Sequence, residues 1–451
     1  VLKRPSNQLN PEVFSMRHKF LVLSITILII NLFLSINTFA ETETESKPVL
    51  TLEQCLEMAY ANSKQLQEVE KNIAIAKELI KEAEAGFLPS INYEYAGIYS
   101  NEPLSPLDPS RSKEGYSGKI ALTQPLYTGG KLTNALEIAK ANLDKELEQA
   151  RKIKQDLTYQ VKEAYYRVWL AEEMLKVAQG SYDNLSQHVN KVNKLFKVGT
   201  ASKFDVLRAE VQQESIKPKI IKAENAISLA KLGLAIIIGF DKEQDFAINF
   251  DPKQFDLPEN HDLSISSLLE EAYQNRAELR QLKIGAKVAE LKTAIEFAAY
   301  KPTIGASLSY EGSGNEMLFD DWDKAWKLAV VVQGSIFNAG TKPKVTSATK
   351  SEELFEVQEA GLRDKILLEV KQAYQAIKEN IETAKANLAN IELAQESLRM
   401  TQSRFDAGIA TTMDIMDAQL ALDQALNGYY QSLADYITAL AKLDQVVGRD
   451  Q

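Results

Sequence analysis

Phe196-Lys197-Val198-Gly199-Thr200 returns 209 residues later as Phe405-Asp406-Ala407-Gly408-Ile409. In both stretches a periodic, helix-like segment ends on glycine and a second periodic segment follows. Glycine closes a helix because it reaches left-handed backbone angles, and Ser202 and Thr411 or Thr412 suit the cap of the next one. Each stretch reads as the tip of an antiparallel helical hairpin. Other landmarks recur in the same order. Ala59-Tyr60-Ala61-Asn62 returns as Ala272-Tyr273-Gln274-Asn275, and Leu88-Pro89-Ser90-Ile91 as Lys301-Pro302-Thr303-Ile304, both 213 residues on. Tyr127-Thr128-Gly129-Gly130-Lys131 returns as Phe337-Asn338-Ala339-Gly340-Thr341 at 210, and Ile238-Gly239 as Val447-Gly448 at 209. An offset this steady marks an internal duplication.

Working outward from the tips, the first repeat covers 41–251 and the second 252–451. The first holds a helix, a β-hairpin over 88–127, a long helix over 131–198 and a helix over 203–238. The second holds a helix, a β-hairpin over 302–337, a long helix over 341–406 and a helix over 411–447. The connection around 241–262 is polar and broken by Pro252 and Pro258. Along the first long segment, Leu157, Ala164, Ala171, Ala178, Leu185 and Val192 alternate at heptad spacing with Val161, Val168, Leu175, Tyr182, Val189 and Phe196. The second repeats this with Leu367, Tyr374, Ile381 and Leu388 beside Val370, Ile377, Ala384, Ile391 and Leu398. This is a coiled-coil seam, and a helix of such length spans roughly 100 Å. On the helices alone, a soluble coiled-coil scaffold would serve.

The strands alter that balance. Ile91, Tyr93, Tyr95 and Tyr99 alternate with Asn92 and Glu94; Ile120 and Leu122 with Ser117, Lys119, Ala121 and Thr123. Ile304, Ala306, Leu308 and Tyr310 alternate with Thr303, Gly305, Ser307 and Ser309. Trp326, Leu328, Val330, Val332 and Ile336 alternate with Lys327, Ala329, Gln333 and Ser335, with Val331 as an exception. Period two divides each strand into an apolar and a polar face, at lengths suited to crossing a bilayer. Aromatics mark the strand ends: Phe87, Tyr127, Tyr300 and Phe337 at one, Tyr116 and Trp322 at the other. A small soluble sandwich would share the alternation. Four strands cannot close a membrane barrel, so a spanning form needs several copies.

Net charge is −10, and no basic patch offers a nucleic-acid surface. Residues 1–40 are basic around Met16, Arg17 and Lys19, then apolar, then end on Thr38-Phe39-Ala40, as a cleaved secretory signal peptide does. A membrane anchor is the other reading of that run. Cys55 is the single cysteine, so no internal disulfide forms. The histidines, His18, His188 and His261, are not spaced as metal ligands. Gly129-Gly130-Lys131 lacks the upstream glycine of a phosphate loop and reads as a strand-to-helix turn. No cofactor, metal or enzyme chemistry is indicated.

Taken together, Phe87-Leu88-Pro89-Ser90, Leu126-Tyr127-Thr128-Gly129-Gly130 and the turns 196–206 and 405–415 resemble the TolC-like outer-membrane efflux channel family over nearly all of the mature chain. The resemblance implies a mainly α protein with β: a homotrimer closing a 12-stranded β-barrel in the outer membrane above a long α-helical coiled-coil barrel in the periplasm. It implies a solute conduit for efflux or type I secretion, partnered by a periplasmic adaptor and an inner-membrane transporter. Met413-Asp414-Ile415-Met416-Asp417-Ala418 matches the family's periplasmic mouth. Asp414, Asp417 and Asp205 are therefore candidate gate residues, and crowding of like charges between copies would raise carboxyl pKa values. The tips Val198, Gly199, Thr200, Ala407, Gly408 and Ile409 are candidate adaptor-docking points. One departure stands out. Some members lock the mouth with a tyrosine and an arginine flanking the second tip glycine, tied to an aspartate in the first turn. Asp205 is present, but Phe405 and Ala410 occupy the other positions. Closure would then rest on packing or on other pairs, with Arg208 and Arg404 as candidates. The competing function is a periplasmic coiled-coil adaptor or structural interaction protein.

Overall fold

The computed structural model describes residues 47–100, 114–242, 244–252, 257–258, 264–314 and 322–450. The expected signal peptide, 1–40, lies outside them. The chain divides into two compact units. Of the smaller, 47–49 and 245–247 are described, tied by the Lys47–Asp245 ion pair (2.6 Å) and by the Ala247 N–H donating to the Pro48 carbonyl. The larger unit, Leu50–Gln244 with Ile248–Gln451, carries everything below.

That unit contains nine helices and four long strands among the described residues. The first repeat runs α1 (Leu52–Asn62), α2 (Lys64–Ala85), β1 (Ser90–Tyr99), β2 (Glu114–Tyr127), α3 (Lys131–Lys197), α4 (Lys203–Glu214) and α5 (Lys217–Ile238). The second runs α6 (Ile265–Asn275), α7 (Ala277–Phe297), β3 (Thr303–Gly314), β4 (Asp323–Gln333), α8 (Thr341–Asp406) and α9 (Thr412–Val447).

Three expected helices are each broken in two. The breaks at Ser63 and Arg276 fall at equivalent positions, both with extended backbone. Ser63 accepts from the Leu66 N–H and starts α2 as a side-chain cap. The residue before each break meets the end of its own repeat. Asn62 donates to the Ile238 carbonyl at 3.0 Å, and the Asn275 carbonyl accepts from Arg151, which also holds the Gly448 carbonyl. The third break, between α4 and α5, has no counterpart in α9. Pro218, in the first turn of α5, has no N–H to give the Glu214 carbonyl, so the helix cannot run through.

Both long helices bury one stripe. In α8, Val370, Ile377, Ala384, Ile391 and Leu398 are all buried. The companion row shifts: Ile366 and Ala373 are buried, whereas Leu388 is exposed. A straight α-helix drifts against a strict heptad, so while one row stays inside, its companion slips out of the buried stripe.

The strands form one antiparallel sheet in the order β1-β2-β3-β4, and β2 pairs with β3 across the repeats. The register aligns the alternation of all four. Ile91, Leu122, Leu308 and Leu328 make one continuous cross-strand row, and Tyr93, Ile120, Tyr310 and Trp326 make another. On the opposite face lie Asn92, Ala121, Ser309 and Lys327, then Glu94, Lys119, Glu311 and Ala325. A bulge at 125–127 lets Tyr127 pair with Ile304 and return to the apolar face. Pro125, which cannot donate to the ladder, sits where the ladder is already interrupted. Strand β4 ends at Gln333, earlier than the alternation through Ile336 suggests.

Candidate functional site

The two hairpin tips are built alike. Helix α3 ends on Gly199 (φ +80°) and α8 on Gly408 (φ +72°). The Thr200 N–H returns to the Leu195 carbonyl (2.9 Å) and the Gly199 N–H to Phe196; Ile409 and Gly408 do the same with Arg404 and Phe405. These paired bonds satisfy carbonyls that a helix end leaves open, and the left-handed φ is what requires glycine there. An added Cβ at either glycine would meet open space, so the tips are not packed against the rest of the chain. Val198 and Ile409 project from them with 72% and 69% of their surface exposed. Thr200 turns its hydroxyl back to the Leu195 carbonyl, and Ala407 is the exposed residue before the second glycine.

The three candidate aspartates separate by role. Asp205 accepts from the Ser202 N–H (3.0 Å) and hydroxyl (2.6 Å), while the Asp205 N–H donates to Ser202 Oγ. Asp414 does the same with Thr411, at 2.6 Å from its N–H and 2.8 Å from its hydroxyl. Both are reciprocal capping boxes. The Ser202 hydroxyl and N–H hold the Asp205 carboxyl below the usual range, and the Thr411 N–H and hydroxyl do so for Asp414. Within one chain, then, capping acts against the rise expected from crowding. Asp417, one turn on and exposed, takes no part in the cap. Asp205 and Asp414 are equivalents, so the charge difference between the tips lies elsewhere: Lys197 against Asp406, Lys203 against Thr412 and Arg208 against Asp417.

The tyrosine–arginine lock is absent, with Phe405 and Ala410 in its places. The Arg208 guanidinium lies over the Phe204 ring of its own helix. The Arg404 carbonyl accepts the turn N–H groups of Ile409 and Ala410. Phe405 instead packs against two cores at once. One is Val189, Val192, Val206 and Ala209 of α3–α4; the other includes Ile391, Leu398, Ile415 and Leu422 of α8–α9. The His188 ring meets Phe405 edge-on, centroids 4.9 Å apart, and Lys191 forms an ion pair with Asp406. Burial, then the charge of Lys191, pushes the His188 pKa down to about 4, and its Nε2 has no hydrogen-bond partner. Higher up, buried Asp423 of α9 accepts from Ser181 of α3 (2.6 Å) and from Gln419 (2.7 Å). Burial raises the Asp423 pKa. His188 was visible in the sequence as a lone histidine; nothing in its spacing announced its contact with Phe405.

A family model, "Outer membrane efflux protein", matches residues 55–239 and 268–449. The chain belongs to the outer membrane efflux protein family. The two matches fall one on each repeat. Outer membrane protein TolC of Vibrio cholerae is 23% identical over 400 residues, covering 86% of this chain and 89% of that protein. The cobalt-zinc-cadmium resistance protein CzcC of Cupriavidus metallidurans is 24% identical over 458 residues, covering 96% and 100%. The alkaline protease secretion protein AprF of Pseudomonas aeruginosa is 21% identical, covering 86% and 82%. Among solved structures, CusC has a TM-score of 0.78 at 18% identity over 88% of this chain and 92% of that chain. VceC of Vibrio cholerae scores 0.74 at 16% identity, covering 88% and 96%. These likenesses establish the fold of an outer-membrane efflux channel. Among the described residues no helix is long and apolar enough to cross a membrane, and no cluster of His, Cys, Asp or Glu could hold a metal ion.

Proposed function

We infer that this family member is the outer-membrane channel subunit of a tripartite efflux or type I secretion system. The observation that carries the reading is the sheet register: it gathers the alternating residues of four strands into one apolar and one polar face. An apolar face open to solvent along a whole sheet needs lipid or protein against it. The sheet also has two open edges, β1 and β4, which lipid cannot satisfy. Further copies can. Because each chain brings an even number of antiparallel strands, β4 of one copy meets β1 of the next in antiparallel sense. Three copies of the four-stranded sheet make the 12-stranded barrel, wider than the side-chain-filled eight-stranded one. The polar face, with Glu94, Lys119, Glu311 and Lys327, then lines the conduit.

The tips would form the periplasmic mouth. Asp417 and its copies supply carboxylates that the caps leave uncommitted, with Asp414 and Asp205 beside them. Val198, Gly199, Thr200, Ala407, Gly408 and Ile409 would meet a periplasmic adaptor that connects to an inner-membrane transporter. Membrane fractionation with electrophoresis of unheated and heated samples tests the reading. A heat-modifiable trimer in the outer-membrane fraction is expected; a soluble monomer would overturn it.

A further inference from the structure

The register sets Thr303 beside Gln333 and Tyr127 beside Ile304, so four chain segments meet at the helix-facing end of the sheet. They touch one another there. The Lys301 Nζ donates to the Gly129 carbonyl (3.3 Å), and Gln124 Nε2 to the Phe87 carbonyl (2.8 Å). Phe87, Leu88, Leu126, Tyr127, Tyr300 and Phe337 all stand exposed at this rim. The segments 85–90, 125–136, 297–303 and 334–349 contain Lys131, Lys301, Lys342 and Lys344 and not one Asp or Glu. In a chain of net charge −10, that makes a local reversal of sign. All four lysines are exposed. Higher on the sheet the charges are mixed, Glu94 and Glu311 with Lys119 and Lys327, so the reversal is confined to the rim.

We propose that this aromatic and lysine collar binds anionic phospholipid headgroups of the leaflet on the helix-facing side. The inference rests on the reading that the apolar sheet face meets lipid. The collar continues that face to the depth where headgroups begin. Aromatic rings favour this interface, and lysine lays its stem along apolar surface while its ammonium reaches outward. A phosphate that keeps a net negative charge completes these cations: Lys131, Lys301 and Lys342 have no acidic residue in their own segments, and Lys344 shares its pocket with Glu296. A zwitterionic headgroup brings its own cation and gains less.

The full chain in detergent is offered equimolar phosphatidylglycerol and phosphatidylcholine, recovered, and its bound lipid measured by mass spectrometry. The expected result is enrichment of phosphatidylglycerol by about threefold or more, since each lysine near an anionic surface contributes a several-fold preference. The enrichment should vanish in K131Q/K301Q/K342Q/K344Q, persist in the matching Lys→Arg variant, and collapse at high salt. Lipid retained in the proportion offered, or enrichment surviving in the glutamine variant, would overturn the collar while leaving the channel reading intact. Flotation with vesicles separates the two failures: a chain that floats with neither lipid loses both readings.

Discussion

At the residue scale, the aspartates of the second tip are two different devices that share a motif. Asp414 holds the start of α9 through Thr411, as Asp205 holds α4 through Ser202. Removing the cap hydroxyl by Thr411→Ala should cost about 1 kcal/mol and shift thermal unfolding accordingly. Asp417→Asn removes charge alone. It should weaken block of single-channel current by a multivalent cation several-fold at unchanged thermal stability; wild-type block would remove Asp417 from the gate. His188 supplies a pH dependence of definite sign. Its pKa in the fold, about 4, lies below the ordinary value of 6.5. The neutral ring therefore contributes fully above about 6.5, and the contribution drains away as pH falls towards about 4. Protease cleavage at the tips should accelerate over that window in the wild type and lose the dependence in His188→Phe. A profile shared by both proteins would assign the titration elsewhere.

At the element scale, the strands were the most legible part of the sequence. Each face is written by alternation, and a shift of one residue would turn every side chain to the wrong side. The register predicts an asymmetry between neighbours. Leu308→Lys places a charge in the row with Ile91, Leu122 and Leu328, where a lysine deep in the bilayer costs about 2–4 kcal/mol. Ser307→Lys, one residue before, faces Thr123 and Ala329 on the polar face, where its site is half-buried, and should be tolerated. Comparing the yield of heat-modifiable trimer from the two variants tests this; equal yields would place lipid on neither face. The helices were legible in their existence and less so in their continuity. Pro218 was a local signal for the α4–α5 break. Arg276 was not: its ion pair with Glu369 joins it to another helix, and no local pattern reports such a contact. The heptads located the seam, but a sequence row cannot report the drift that exposes Leu388 while burying Ile366. The candidate site was legible as a pair of tips and illegible as a contact between them. His188 and Phe405 are far apart in the chain, and no periodicity links residues of different repeats.

At the scale of the whole molecule, duplication produces two equivalent hairpins, and the contact between them decides whether they move together. Two interactions compete for that role near the tips. The Lys191–Asp406 pair is about half exposed on both sides, and such pairs contribute roughly 0–1 kcal/mol because water and salt screen them. Phe405 is a ring shared between the cores of both hairpins. Truncating a large core side chain costs about 3–5 kcal/mol when it is fully buried, and a fair fraction of that when it is half-buried as here. Packing should therefore dominate the closed mouth, with the ion pair secondary. Phe405→Ala is expected to raise single-channel conductance markedly and to speed cleavage at the tips. Lys191→Glu should give a small increase that grows at low ionic strength, where repulsion from Asp406 is least screened, and Lys191→Glu with Asp406→Lys should return it to wild type. The reverse ranking, a leaky Lys191→Glu beside a tight Phe405→Ala, would mean that charge closes the mouth and that Phe405 serves only the stability of each hairpin.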